Sequence, residues 1–259
     1  MSPNAGWHWL SQAIDLFKKR PFEIVFAYFG MMLCTFVVAA LPLVGPVLSF
    51  ALAPLFAMGL AQIYRDTERG EAFVATALFS AFRSPAKKPL FMLGLLQFLA
   101  FAASMTLASF FDDGLLRELI SNPKLFEGEA AQNVEYARQM LWRLFQSVAI
   151  SRLFYLPALM CFWYAPNLIA WHGMGVIKAC FYSFFTVWRL RSAFIVYLLS
   201  CLAFLMVPTF VLGVLSAIHP AVAAIINLVI IPALLGLITI VNCSFYTSYT
   251  AAFERDTSA

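Results

Sequence analysis

The sequence predicts an all-α, polytopic membrane helix bundle with six transmembrane helices in three hairpins. Hydrophobic residues make up 63% of the 259 residues and charged residues only 12%, and the mean hydropathy is +0.84. A soluble domain carries about 25% charged residues, so this chain has too few charges to cover a water-exposed surface. The composition therefore argues against a soluble enzyme, a nucleic-acid-binding protein and a disordered chain.

Six apolar segments are long enough to cross a membrane. A helix needs about 20 mostly apolar residues to span roughly 30 Å of hydrocarbon. The segments that qualify are 23–41, 46–63, 90–110, 148–170, 192–214 and 221–246. Short turns at Pro42–Pro46 and before Pro220 join the first and last pairs into hairpins. We therefore expect residues 1–259 to form a single membrane domain.

The basic residues predict the orientation of the chain. Four of the 17 Lys and Arg residues fall on one side (Arg117, Lys124, Arg138 and Arg143), and Arg152 lies inside the fourth span. The remaining twelve fall on the other side, so both termini are predicted to be cytoplasmic. The net charge of +4 is explained by this topology and does not call for a nucleic-acid partner. A cleaved signal peptide is the alternative for the N-terminus, but the apolar run exceeds the usual 7–15 residues.

A basic, aromatic stretch precedes the first, third and fifth spans, at 6–22, 72–89 and 176–191. In the first, Trp9, Ala13 and Leu16 share one helical face. Such stretches suit amphipathic helices lying in the cytoplasmic interface, where cations meet anionic headgroups. They predict three copies of one unit; the alternative is the positive-inside rule acting on aromatic-rich linkers. The candidate anchoring residues are Trp7, Trp9, Lys18, Lys19, Arg20, Lys87, Lys88, Trp188, Arg189 and Arg191.

The middle unit contains a long connection at 111–147, which is predicted to be an extracytoplasmic helical segment. A connection of this length is usually structured or functional. Helical periodicity from Glu129 to Phe145 predicts a helix that continues without interruption into the fourth span, with Pro157 as a candidate kink.

Polar residues inside the spans are the candidates for chemistry. Arg152 lies about one turn inside the outer boundary of the fourth span. A structural role, in which it extends outward or pairs with Asp112 or Asp113, is weighed against a role in binding a ligand or ion. The uncharged candidates are Gln97, Asn167, Asn227 and Asn242, for which interhelical hydrogen bonding is the favoured interpretation. Pro208 and Pro232 could break the fifth and sixth spans, and broken helices can line substrate sites.

Motifs for enzymatic chemistry are lacking in this sequence. The five Cys residues lie in apolar or amphipathic stretches and the three His are scattered, which favours neither a disulfide set nor a metal site. No phosphate-binding loop, nucleophile elbow or zinc-protease motif occurs. We therefore expect no enzymatic activity, no metal and no cofactor.

Two stretches carry a resemblance to a known family: Trp7 to Pro21, and Tyr164 to Met174 followed by Lys178 to Ser183. Together they resemble a proteobacterial family of hypothetical six-span transmembrane proteins of the inner membrane. The resemblance implies six spans and a bacterial inner membrane, and it supplies no catalytic residues.

These observations predict a non-enzymatic module that organises lipids or partner membrane proteins. Its interfacial helices would hold anionic lipid on the cytoplasmic leaflet, and 111–147 would offer a docking surface to another membrane protein or to a second copy. The alternative is a transporter or channel for a small molecule or lipid, with a cavity around Arg152, Asn167 and Asn227.

Overall fold

The computed structural model describes residues 3–111, 121, 134–218 and 220–254, and all regular structure among them is helical. The α-helices are α1 (Ala5–Lys19), α2 (Pro21–Ala39), α3 (Gly45–Glu68), α4 (Ser80–Arg83), α5 (Lys87–Ala108), α6 (Val134–Phe162), α7 (Ala165–His172), α8 (Val176–Arg189), α9 (Arg191–Ile218) and α10 (Pro220–Phe253). A 3₁₀ helix, Ala75–Phe79, precedes α4. The all-α prediction is confirmed. Most of the predicted segment 111–147, including Asp112 and Asp113, lies outside the described residues.

Six helical stretches are long and apolar enough to cross a membrane, and each overlaps one of the predicted spans. They are Pro21–Ala39, Gly45–Glu68, Lys87–Ala108, Arg138–His172, Arg191–Ser216 and Leu228–Phe253. Consecutive spans contact each other, α2 with α3, α5 with α6 and α9 with α10. Because the number of spans is even, the first begins and the last ends at the same end of the bundle, here called the terminal end.

Large apolar side chains cover the outside of these helices. Phe36 and Phe210 are each 72% exposed and Leu228 is 79% exposed. Soluble monomers rarely expose contiguous apolar surface of this kind. The exposed phenylalanines and leucines therefore need a hydrocarbon environment, and the chain is an integral membrane protein.

The short helices pack in a ring around the terminal end of the bundle. The 3₁₀ helix and α4 lie against α3, and α8 lies against α6, so each packs on the second span of the pair that precedes it. Helix α1 precedes the first pair and packs instead on α9 and α10, the last pair. Each short helix thus packs mainly on a pair of spans other than the one that it directly precedes.

Helix α1 is held by its own apolar face. Trp9 is 1% exposed and packs edge-to-face on Phe194 of α9, at 5.3 Å between ring centroids. Its carbonyl accepts a hydrogen bond from the Thr247 hydroxyl of α10 at 2.7 Å. The prediction that Trp9 anchors the chain in lipid headgroups is therefore corrected, because the protein itself encloses the ring. Trp7, two residues earlier on the opposite face, is 50% exposed.

Two glycines permit the closest approaches in this ring. A Cβ on Gly6 of α1 would collide with the backbone of Ala193 and Tyr197 in α9, and a Cβ on Gly59 of α3 would collide with the Leu78 carbonyl of the 3₁₀ helix. Small residues at such crossings let helix backbones approach within van der Waals contact in a membrane.

We expect Gly6→Ala and Gly59→Ala each to destabilise the protein by about 1–3 kcal/mol, because the added methyl group overpacks a backbone contact. The matched control is Gly236→Ala in α10, where a Cβ meets nothing within 4 Å. Thermal unfolding of the purified variants in detergent measures the difference. Equal melting temperatures for all three variants would contradict the packing described here.

Candidate functional site

The fourth span is interrupted next to the centre of the bundle. Helix α6 ends at Phe162 and α7 begins at Ala165, so the helix of the fourth span is interrupted at Trp163 and Tyr164. In a regular helix the Tyr164 N–H would donate to the Met160 carbonyl. Instead it donates to the Ser183 hydroxyl of α8 at 2.9 Å, and that hydroxyl donates to the Met160 carbonyl at 2.8 Å.

Pro166 reinforces this break. Proline has no N–H to donate to the carbonyl four residues earlier, which is that of Phe162, and its ring would clash with that carbonyl in a continuous helix. An inserted side chain and a proline are the two common causes of a sharp helix break. The interruption is thus fixed both locally, by Pro166, and from a distant helix, by Ser183.

A cavity of about 360 Å³ lies beside this break. One wall comes from α2 and another from α3, and the others come from the start of α7 and from α10. The lining residues are Met31, Thr35, Ala53, Phe56, Ala57, Met58, Leu60, Ala61, Tyr64, Trp163, Pro166, Asn167, Asn242, Phe245 and Tyr246. No Lys, Arg, Asp or Glu is among them. The cavity is therefore an uncharged chamber where segments of all three hairpins meet.

The polar groups of the cavity are side-chain amides and hydroxyls. The Tyr64 hydroxyl donates to Asn242 Oδ1 at 2.8 Å, which joins α3 to α10 and leaves the Asn242 NH₂ group free of this bond. Asn167 contributes a second, half-buried amide from α7. Trp163 and Phe245 pack against each other at 4.6 Å between centroids. The chamber thus combines aromatic walls with amide groups that can donate hydrogen bonds.

Polar contacts close the bundle at the terminal end of the cavity. The Tyr246 hydroxyl donates to Glu68 Oε2 at 2.6 Å, and Arg65 pairs with Glu254 at 3.2 Å between Nη2 and Oε1. The Arg65 guanidinium also lies 4.6 Å from the centroid of the Trp171 ring. His172 Nε2 and the Tyr249 hydroxyl are hydrogen-bonded at 2.7 Å. These contacts tie α10 to α3 and α7.

The predicted intramembrane residues divide between the cavity and other places. Asn167 and Asn242 line it, whereas Arg152 and Gln97 do not. The Arg152 side chain is exposed on α6, and its predicted pairing with Asp112 or Asp113 stays a prediction, because both carboxylates lie outside the described residues. The side chain of Asn227 also lies outside them.

The predicted anchoring residues lie on the surface, with the exception of Trp9. Trp188 is exposed, and so are Lys18, Lys19, Lys87, Lys88, Arg189 and Arg191. Arg20 is half-buried and pairs with Glu23 at 3.3 Å. The Arg191 guanidinium lies 5.9 Å from the centroid of the Trp188 ring. Their role in anchoring stays a prediction.

Sequence reasoning missed several residues of the site. Tyr64 follows the predicted second span directly and Tyr246 ends the predicted sixth span, and neither they nor Trp163 and Ser183 are among the predicted site residues. One signal was present, because Asn242, Tyr246 and Tyr249 recur at positions i, i+4 and i+7 and so share one face of a helix. That polar stripe within an apolar span marked the face of α10 that meets the other hairpins.

The cysteines and the potential metal ligands of the described residues form no further site. All five Cys residues are free thiols, and burial beside Cys161 raises the pKa of the Cys180 thiol on α8 to about 11. A thiol with that pKa stays protonated and unreactive at neutral pH. Within the parts of the chain that the structure describes, no group of three His, Cys, Asp or Glu could hold a metal ion.

A comparison with known proteins now assigns the chain to a family. A protein of Burkholderia thailandensis named "probable inner membrane protein" is 31% identical over 256 residues, which cover 98% of this chain and 92% of the relative. The chain belongs to the same family. The resemblance to an inner-membrane protein family is thereby confirmed. No family model and no solved structure matches the chain.

Because the Ser183 hydroxyl bridges two backbone groups, we expect Ser183→Ala to destabilise this family member by about 1–3 kcal/mol. The matched control is Ser104→Ala, which removes an equally buried hydroxyl that donates only to Phe101 within its own helix. Thermal unfolding in detergent compares the two. If Ser104→Ala lowered the melting temperature as much as Ser183→Ala, the bridge between two backbone groups would add no more stability than an ordinary buried hydroxyl.

Proposed function

We propose that the protein is a non-enzymatic inner-membrane protein that binds an uncharged, lipid-like molecule in the cavity between its hairpins. The observation that carries this proposal is the lining, which contains aromatic and aliphatic side chains and two asparagines but no Lys, Arg, Asp or Glu. Binding of a lipid is a specific form of the lipid-organising role predicted from the sequence.

The chemistry of the lining supports an uncharged ligand. A charged group moved into such a chamber would lose its hydration without meeting an opposite charge, at a cost of several kcal/mol. The neighbouring charges of Arg65 and Glu254 are engaged with each other. By contrast, a carbonyl or ester oxygen can accept a hydrogen bond from the Asn167 or Asn242 amide, and acyl chains or rings can pack on Trp163 and Phe245.

The same lining supports binding without chemical conversion. Thr35 donates to the Met31 carbonyl of its own helix, and Tyr64 donates to an amide oxygen, so neither hydroxyl lies next to a base that could activate it. The Tyr246 hydroxyl does donate to a carboxylate, that of Glu68, but no Ser, Cys or His belongs to the lining to serve as a nucleophile.

Access to the cavity is favoured from the membrane. Helix α2 supplies Met31 and Thr35 to the lining, yet it buries only Ile24 and Ala27 of its nineteen residues. Its other residues are half-buried or exposed, and large apolar side chains such as Phe29 and Phe36 lie on the outside of the bundle. The terminal end is closed by three polar contacts instead. A lipid-like molecule therefore enters past α2.

We expect Ala57→Phe to abolish binding, because Ala57 is exposed into the cavity and a benzyl group there fills the chamber. The control is Ala103→Phe, the same change at an exposed position on α5 outside the cavity lining. The probe is a diacylglycerol with a diazirine on one acyl chain, in vesicles. Mass spectrometry should locate cross-links on Trp163 or Phe245 in the unaltered protein and in Ala103→Phe, with a loss of at least tenfold in Ala57→Phe.

Cross-links at the bundle surface alone, or undiminished cavity labelling in Ala57→Phe, would overturn the proposal. Surface labelling is expected from any membrane protein in contact with the probe, so the difference between the two Phe variants carries the result.

Transport of the bound molecule is the second candidate function, and the break between α6 and α7 favours it. Interrupted helices line the substrate sites of many transporters and move between states that open to opposite sides. Here the interruption places Trp163, Pro166 and Asn167 in the lining.

Transport through an aqueous path predicts that Asn167→Cys, in a variant lacking the five native cysteines, reacts with a membrane-impermeant thiol reagent. The reagent is added to one side and then to the other of sealed vesicles. The control is Ala57→Cys, on the opposite wall of the same cavity. Lack of labelling at both positions from both sides would exclude a water-filled route and leave the lipid-binding role in place.

A further inference from the structure

A second, separate groove lies on the outer surface between α3, α4 and α5. Its volume is about 320 Å³. It is lined by Leu52, Leu55, Phe82, Lys87, Lys88 and Phe91. None of these residues lines the central cavity, so the groove is a distinct site.

The groove has a polar end and an apolar end. Lys87 and Lys88 begin α5, directly after the short helix α4 that lies against α3. Lys87 at the start of α5 shares the groove with Leu55, and further along α5 the Gly94 backbone lies against Ala51, so α3 and α5 run antiparallel. Gly59 of α3 contacts the 3₁₀ helix. Leu52 lies seven residues before Gly59 along α3, which places it about 10 Å farther from the terminal end at 1.5 Å per residue. The groove therefore extends from the ammonium groups of Lys87 and Lys88 toward the hydrocarbon part of the membrane.

The basic residues at the polar end of the groove have no acidic partner among the described residues. In the described part of the chain, no carboxylate pairs with Arg83, Lys87 or Lys88. Other basic residues of the same end differ in this respect, since Lys18 pairs with Asp15 at 3.3 Å and Arg69 lies 4.0 Å from Glu71. An anion that binds at Lys87 and Lys88 thus meets positive charge without a competing carboxylate.

We infer that this groove binds one anionic phospholipid, with its phosphate at Lys87 and Lys88 and an acyl chain along Leu55 and Leu52. The amphipathic pattern of the groove matches that of the ligand, because the cations lie beside the short helices and the apolar side chains lie deeper. A soluble anion would leave the apolar floor uncovered, and an uncharged lipid would leave the lysines without a partner. The site is independent of the ligand proposed for the central cavity.

Native mass spectrometry of the protein in nanodiscs tests this inference. The nanodiscs contain phosphatidylcholine with one-tenth phosphatidylglycerol, and the number of phosphatidylglycerol molecules retained after release is counted. The double variant Lys87→Gln/Lys88→Gln should bind the anionic lipid roughly 30-fold more weakly, since each cation near the surface contributes about 1 kcal/mol. The charge-matched control is Arg69→Gln/Arg138→Gln, in which both altered cations have a carboxylate neighbour and neither is a predicted anchoring residue.

The expected result is one retained phosphatidylglycerol in the unaltered protein and in the control, and its loss in Lys87→Gln/Lys88→Gln. A groove-filling variant, Leu52→Trp, should also lose it with both lysines intact, which separates a seated lipid from a diffuse attraction. Equal loss in both double variants would overturn the site in favour of net charge alone. Retention of phosphatidylcholine in place of phosphatidylglycerol would overturn the recognition of charge. Neither result bears on the cavity, which is tested by diacylglycerol labelling.

Discussion

The packing of α1 across α9 and α10 is the constraint on which the rest of the bundle depends. This contact joins residue 9 to residue 247 and so closes the three hairpins into a ring. Helix α10 also packs on α2 and α3, and it meets α3 and α7 through hydrogen bonds such as Tyr64–Asn242 and His172–Tyr249. In a membrane, apolar burial gives little preference between helix–helix and helix–lipid contact, so close packing and buried hydrogen bonds must supply the specificity. Gly6, Trp9 and Thr247 supply both at one crossing.

The same ring creates the cavity. The short helix α8 occupies the position in the third unit that the 3₁₀ helix occupies in the second. At that position it projects the Ser183 hydroxyl into the backbone of the neighbouring span, between Met160 and Tyr164. The helix of the span is interrupted there, and Trp163 in the interruption and Asn167 just after it line the cavity. The contact between Ser183 of α8 and the backbone of the fourth span thus also helps to form the cavity.

Most of the fold could be predicted from the sequence because the signals that specify it are local. Hydropathy over about twenty residues marks a span wherever its partners lie, and the basic stretches mark where the short helices begin. Periodicity places Trp9 on one face with Ala13 and Leu16, but it could not show whether that face meets lipid headgroups or another helix. Only the position of Phe194, far away in the chain, decides that Trp9 is enclosed and Trp7 is not.

The site was less predictable, because it is assembled from distant residues. Asn167 and Asn242 were recognised as polar groups inside spans, but nothing in the sequence shows that they face one chamber. Pro166 carried a local sign of the break at Phe162. The insertion of Ser183 carried none, since a serine in an amphipathic helix is compatible with any neighbour. Arg152 drew attention because charge in a span is costly, yet its side chain is exposed on α6, and a long arginine side chain can extend its charged end toward water.

The two proposed lipid sites differ in how the protein handles charge, and this follows from where each lies. The groove is at the surface, where ammonium groups of Lys87 and Lys88 stay hydrated and can bind a phosphate without the cost of burial. The cavity lies inside the bundle, where burying an unpaired charge would be unfavourable. Its polar lining groups are amides and hydroxyls, and the neighbouring Arg65 and Glu254 form an ion pair. A lipid with a charged headgroup therefore fits the surface and a lipid without one fits the interior. No side chain needs to recognise the headgroup specifically. The difference in hydration between the groove and the cavity is enough to direct charged lipids to the groove and uncharged lipids to the cavity.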